Sequence, residues 1–549
     1  MRQMKIVVAA CLIAVISIGC TKKIDLQVFA EFDRFKHAAF PITPENVKPP
    51  VIFIPGIEGS RLADDEFVYW GTVENEALIS VFDDLALDMK SQGFKDDQDP
   101  LLGAWIDSYR KTGIQEDGVL KKYSLGFFRN PKGLSFPVYD DIGKYLTDVS
   151  GYREDADLFL MPYDWRLDNR VAAVKLGLML DAWTEKYLAY VGKLTCGSEE
   201  NRGCSNYASA LKSLVDRGYV TAGGKIRFNI VAHSMGGLVS RYYLQALDRD
   251  RRIHKLIVLG TPNRGAMKML ENLATGMDPN SIAFYEKSKN RPVIFSFPSV
   301  YQLLPRYGSL FLTAAGTSSV PDSHCTETDL SLTSGLLSGS AVESTFVDAV
   351  TGWHRYSLVP CETIAERKYA TCAPLRNKEA LNQTLRANLE SAYKFQLALN
   401  DPGHGDGEYE CGRMKAAELF LRSTNNEKTE FTPESITKNC KGADIAREDR
   451  STRDRLIIFG GFGGETLTHA RVKVSPDNAE KYLLDFDTEC EGCADLITPG
   501  DGTVPLQSIK YAQGYVKDNS NFYLSETHMA LVKNKTFAYN VMRQLLDLE

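Results

Sequence analysis

Residues 226–237 read Ile-Arg-Phe-Asn-Ile-Val-Ala-His-Ser-Met-Gly-Gly. The apolar run 226–231 predicts a buried strand, and 235–247 predicts a helix. Between them stands Ser234, with Ala232 two positions before it and Gly236 and Gly237 after it. A sharp strand-to-helix turn is cramped, so its flanking side chains must be small if the serine is to project its hydroxyl. The pattern makes Ser234 a candidate nucleophile and makes the stretch the fixed point for reading the rest of the chain.

Similar apolar runs bounded by turn signals occur at 51–54, 158–161, 255–259 and 456–459. Helical spacing separates several of them: Val171, Val174, Leu178 and Ala182 recur on one face, 206–219 leads into the serine strand, and 536–549 carries Phe537, Val541 and Leu545. Strands alternating with helices imply an α/β protein whose mostly parallel central sheet is covered by helices on both faces. With the serine turn, this is an α/β-hydrolase fold. The core is expected over 49–265 and 452–549. Two insertions interrupt it: a small lid-like one at about 62–147, and a large cap at 266–451 that includes a helix at 377–399. Trp70, Leu101, Leu102, Trp105, Phe127 and Phe128 in the small insertion read either as core packing or as a lipid-facing patch.

A serine hydroxyl needs a histidine base and a carboxylate to orient that base. In this fold the chain order is Ser, acid, His. The stretch Pro499-Gly500-Asp501-Gly502-Thr503-Val504-Pro505 supplies Asp501 in a sharp turn, and beyond it one histidine remains, His528. Asp495 is the second-choice acid. Two backbone amides must hold the oxyanion. Met235, directly after the nucleophile, is one. Ile57, in the Pro55-Gly56-Ile57-Glu58-Gly59 turn after the first strand, is the other.

The chain has 549 residues, enough for several domains or one large domain with insertions, and a net charge of -7 that gives no reason to expect nucleic acid. Arg2, Lys5 and the apolar run 6–18 form an export signal, since the run is shorter than the roughly 18 residues needed to cross a bilayer. Ser17-Ile18-Gly19-Cys20 resembles a bacterial lipobox with Ser17 where a branched aliphatic is usual. It makes 1–19 a signal peptide, Cys20 the lipidated residue and 20–48 a tether. Nine further cysteines suit an oxidising compartment. Cys196–Cys204 and Cys361–Cys372 are the expected disulfide pairs. Cys490-Glu491-Gly492-Cys493 reads as structural rather than redox-active, and Cys411, Cys440, Cys490 and Cys493 do not make matched zinc knuckles. The acidic run 401–410 reads as a solvated loop, with calcium as the alternative.

Five blocks, taken together, resemble the lecithin:cholesterol acyltransferase family: 50–62, Pro162-Tyr163-Asp164-Trp165-Arg166, 232–237, Gly260-Thr261-Pro262 and 500–505. The resemblance implies a Ser234–Asp501–His528 triad that takes an acyl chain from a phospholipid, with Ile57 and Met235 as oxyanion donors. Asp164, Trp165 and Arg166 would bind substrate or brace the site. It implies a lipid or membrane substrate and no metal or cofactor. The 266–451 segment matches no motif of the family. The reading is therefore an exported, lipid-anchored envelope lipase or acyltransferase. Its rivals are a carboxylesterase of soluble substrates and a non-catalytic envelope lipoprotein.

Overall fold

The computed structural model describes residues 47–73, 85–87, 113–127, 130–198, 202–277, 291–307, 310–312, 454–475, 478–488, 496–510 and 520–546, with isolated positions between 388 and 421. Six strands form the centre: β1 Val51–Ile54, β2 Leu158–Leu160, β3 Phe228–His233, β4 Ile253–Leu259, β5 Leu456–Gly461 and β6 Asn521–Leu524. They lie in the order β6-β5-β4-β3-β1-β2, and every pair is parallel.

The strands read as continuous apolar runs because both faces are covered. Successive side chains alternate between the two faces. Ile52, Ile54, Ile230, Ala232, Leu256, Val258 and Ile458 join one core, with residues of α1 Asn169–Cys196, α2 Ser205–Asp216 and α3 Met235–Tyr242. Val51, Phe53, Val231, Ile257, Leu259, Ile457 and Phe459 join the other. The last helix covers that second face with Phe537, Val541 and Leu545, each worth about 1.5–3 kcal/mol of burial.

The connections decide where a site can form. The chain passes from β1 to the edge strand β2, then returns across β1 to form β3 on its other side. Strand order therefore reverses between β1 and β3, and ligands of open α/β sheets bind at the carboxyl ends of such a pair. This topology, with a serine on the β3–α3 turn, is the α/β-hydrolase fold.

Details differ from the expectations. β3 begins later and runs up to His233, because Ile226 is used in a separate antiparallel bridge with Val220. The helix after Ser234 is α-helical to Tyr242 and then widens to a π turn, Tyr243–Leu247. β6 is short, Asn-Phe-Tyr-Leu, and only partly buried, and it was not among the apolar runs that marked the other strands. Val47 and Lys48, at the end of the expected tether, are buried in the fold.

Within 62–147 the described residues are mostly strands, including the three-stranded set Ser60–Ala63, Val68–Trp70 and Gln115–Val119. Trp70 is buried edge-on against Trp165, 5.4 Å between ring centres, as core packing requires. Leu101, Leu102, Trp105 and Phe128 lie outside the described residues, as do Cys20, Cys361, Cys372, Asp495 and the 401–410 run.

The neighbouring strands β4 and β5 are separated by the excursion 260–455, which includes α4 Met267–Thr275. Helical positions between 388 and 399 dock on the core through polar groups. Arg170 Nη2 donates to the Ser391 carbonyl at 2.6 Å, and Gln396 Nε2 to the Gln302 carbonyl at 2.7 Å. Arg241, on α3 itself, donates to the Leu399 carbonyl at 2.9 Å. Among the described residues no helix is long and apolar enough to cross a membrane. A disulfide joins Cys196, the last residue of α1, to Cys204, which caps α2.

Candidate active site

Ser234 stands at the carboxyl end of β3 with φ 51° and ψ −124°. A side chain in that region costs about 1–3 kcal/mol and persists only where the surroundings impose it. The surroundings here are the Ser234 N–H donating to the Leu259 carbonyl of β4 at 2.8 Å, and the Ser234 carbonyl accepting from Gly237 at 3.0 Å. Its hydroxyl makes no capping bond to α3.

Asp501 and His528 meet at the end of β4. The Asp501 carboxylate is buried; its Oδ1 accepts from the Thr503 and Val504 amides at 3.0 and 2.7 Å, which aims Oδ2 at His528 Nδ1, 2.7 Å away. The His528 peptide N–H donates to the Asp501 carbonyl, also at 2.7 Å. A carboxylate accepts only, so Nδ1 carries the imidazole proton and Nε2 is left as the basic nitrogen. Gly260, which ends β4, leaves the room: a Cβ there would stand 3.1 Å from His528 Nδ1 and 3.2 Å from Asp501 Oδ2.

The turn after β1 closes on the serine from the other side. A Cβ on Gly56 would stand 2.9 Å from Ser234 Cβ, so only glycine permits this approach. Glu58 has a left-handed backbone, φ 61°, and the Gly59 N–H returns to the Gly56 carbonyl at 3.1 Å, so the 56–59 turn is tight. Ile57 lies within it. Met235 is the first residue of α3, where peptide N–H groups have no partner inside the helix.

Two residues to which the sequence assigned no role complete the surroundings. Tyr139 Oη accepts from the Gly56 N–H at 2.9 Å and lies 2.9 Å from His233 Nδ1. His233 Nε2 lies 3.2 Å from the His528 carbonyl, with the two rings 4.7 Å apart. Burial, and then the proximity of His528, hold His233 well below the usual histidine range. Its position directly before the serine was the one available signal; Tyr139 offered none.

Of the expected triad, then, Asp501 and His528 are in hydrogen-bond contact, and Ser234 adjoins them through His233. Asp164, Trp165 and Arg166 lie elsewhere in the packing. Arg166 Nε and Nη2 grip both oxygens of Asp164, at 2.9 and 2.6 Å. Its Nη1 and Nη2 also bind the Leu85 and Ile114 carbonyls at 2.9 and 3.2 Å. Trp165 is fully buried and donates to the Ser60 carbonyl at 3.1 Å. Hydrogen bonds of Trp165 and Arg166 thus go to Asp164 and to the Ser60, Leu85 and Ile114 carbonyls. Among the described residues no cluster of three or more acidic, histidine or cysteine side chains could hold a metal.

Residues 195–381, which include Ser234, match the family model described as lecithin:cholesterol acyltransferase. That match covers about a third of the chain, and over it the chain is similar to the lecithin:cholesterol acyltransferase family. Among similar proteins, lysosomal phospholipase A and acyltransferase from Homo sapiens is 26% identical over 49% of this chain and 59% of its own length. The protein of the same name from Mus musculus is 36% identical over 48% of this chain and 58% of its own. The chain thus spans about three-fifths of the length of these curated relatives. A chain in the crystal structure of the Tle4–Tli4 complex aligns over 91% of this chain and 99% of its own, with a TM-score of 0.46 and 15% identity.

Proposed function

We propose that the protein is a serine acyl hydrolase or acyltransferase acting on acyl esters of lipids, phospholipids above all. Ser234 attacks the ester carbonyl, His528 Nε2 takes the hydroxyl proton and returns it to the leaving alcohol, and Asp501 holds the imidazole in the required tautomer. The Ile57 and Met235 amides stabilise the oxyanion. The acyl-enzyme then passes its chain to water or to an alcohol. The observation that carries this reading is the 2.7 Å contact between His528 Nδ1 and Asp501 Oδ2, set beside a serine in a strained turn. The lipid substrate is supported by the match of residues 195–381 to the family model and by similar proteins named as phospholipase A and acyltransferase.

The relatives' name, lysosomal, and the apolar run 6–18 support an exported enzyme, and the lipobox-like stretch ending at Cys20 supports a lipid anchor there. The 266–451 segment serves as its cap, limiting water above the site.

A fluorophosphonate probe and labelled phospholipid, supplied with and without a long-chain alcohol, test the proposal. Labelling lost in Ser234→Ala, with free fatty acid alone or new ester on adding the alcohol, is the expected result. Labelling that survives Ser234→Ala overturns it.

A further inference from the structure

We infer that Tyr139 and His233 are positioning residues that tie the oxyanion turn to the backbone of the catalytic histidine through hydrogen bonds of a single polarity. The inference rests on the reading of Ser234, Asp501 and His528 given above.

The polarity follows from counting protons. Tyr139 Oη has one proton, and a lone pair on it already accepts from the Gly56 N–H at 2.9 Å. Its proton must therefore go to its other neighbour, His233 Nδ1, also at 2.9 Å. An imidazole that accepts at Nδ1 carries its own proton on Nε2, and Nε2 faces the His528 carbonyl at 3.2 Å. The opposite tautomer would set an Nε2 lone pair against that carbonyl and leave the tyrosine proton without an acceptor. A charged imidazole would again strand the tyrosine proton. Tyr139 and His233 are both buried, so water does not relieve either mismatch cheaply.

The chain runs Gly56 N–H to Tyr139, Tyr139 O–H to His233, and His233 N–H to the His528 carbonyl. At one end it occupies the Gly56 amide and fixes the Pro55–Gly56 peptide, which takes that amide out of the oxyanion site and leaves the proposed role to Ile57. At the other end it completes the hold on His528. Asp501 takes the His528 peptide N–H and Nδ1, and His233 takes the carbonyl. Both halves of the machinery are thereby set by one buried tyrosine hydroxyl.

Tyr139→Phe deletes that hydroxyl and little else. Turnover of a short-chain p-nitrophenyl ester should fall by roughly 10- to 100-fold, less than the loss of an oxyanion donor itself. KM should stay within about twofold, and fluorophosphonate labelling should slow by the same factor as turnover. His233→Gln should cost a similar amount, and adding it to Tyr139→Phe should cost little more, as expected of groups acting as one unit. Wild-type turnover in Tyr139→Phe, or full additivity in the double variant, overturns the inference. If the variants do not fold, nitrogen NMR of the unmodified protein decides: His233 must be neutral with its proton on Nε2, and a proton on Nδ1 overturns the inference. Failure of the functional reading looks different, because the unmodified protein would then not label at Ser234 at all, while the His233 tautomer could still be read.

Discussion

Asp501 and His528 are joined twice, once from carboxylate Oδ2 to Nδ1 and once from carbonyl to peptide N–H, each at 2.7 Å. The doubled link separates two roles that one carboxylate usually combines. The backbone bond fixes where His528 sits, and the side-chain bond fixes which nitrogen is basic.

Asp501→Asn isolates the second role. The asparagine Oδ1 can still accept from Thr503 and Val504, and the backbone bond survives. Turnover should drop by roughly ten-thousandfold, as for other triads deprived of the orienting charge, with an almost unchanged unfolding midpoint. Steady-state kinetics beside a thermal melt checks this; loss of fold in step with loss of rate would make Asp501 a structural residue only.

Ser234 should trade stability for chemistry. Its φ of 51° suits glycine better than any side chain. Ser234→Gly should therefore abolish fluorophosphonate labelling yet raise the melting temperature by about 1 to 2 °C, the released strain being partly offset by the entropy of the freer chain. A lower melting temperature than the parent would argue against strain at the turn.

Arg166 tests bracing against substrate contact. Arg166→Lys removes the forked grip on Asp164 and the bonds to Leu85 and Ile114, leaving part of a buried network unpaired. Stability should fall by about 3 to 5 kcal/mol in urea titration. Protein that remains folded should show an unchanged KM; a large rise in KM with little loss of stability would assign the residue to the substrate.

Stability should also depend on pH through Asp157. Burial pushes its carboxyl up to about 6, and the charge of Lys48 only partly offsets this. The folded state then holds the proton more tightly than the unfolded chain, so stability is greatest below about pH 4 and falls as pH rises to about 6. Asp248, also pushed up to about 6 by burial, acts in the same direction. Asp157→Asn should abolish about 2 kcal/mol of this decline, read as urea midpoints at pH 4.5 and 7. Burial holds Lys48 down to about 8, so its contribution has the opposite slope and lies above that pH. An unaltered pH dependence in Asp157→Asn would rule out this assignment.

The site was legible in sequence where its chemistry is local or ordered along the chain. Ser234 announces itself by the small residues around it, and Asp501 with His528 by their order after it. Strands β1, β3, β4 and β5 were legible because burial on both faces leaves unbroken apolar runs. β6 was not, since it is a four-residue edge strand with every residue only half-buried. Tyr139 was invisible for another reason. It lies 83 residues from Gly56 and 94 from His233, and no local pattern encodes a partner that only the folded sheet brings near. The Asp164–Trp165–Arg166 block could be seen, but its role depended on finding the Leu85, Ile114 and Ser60 carbonyls around it.

Arg241 binds the Leu399 carbonyl from the very helix that Ser234 begins, and Arg170 binds the Ser391 carbonyl from α1. The long excursion between β4 and β5 is consequently no interchangeable module. A chimaera that swaps it for the equivalent loop of another enzyme would have to carry over the 388–399 docking segment, or accept two buried guanidinium groups that each lose a backbone acceptor and fall back on Asp168 and Asn263.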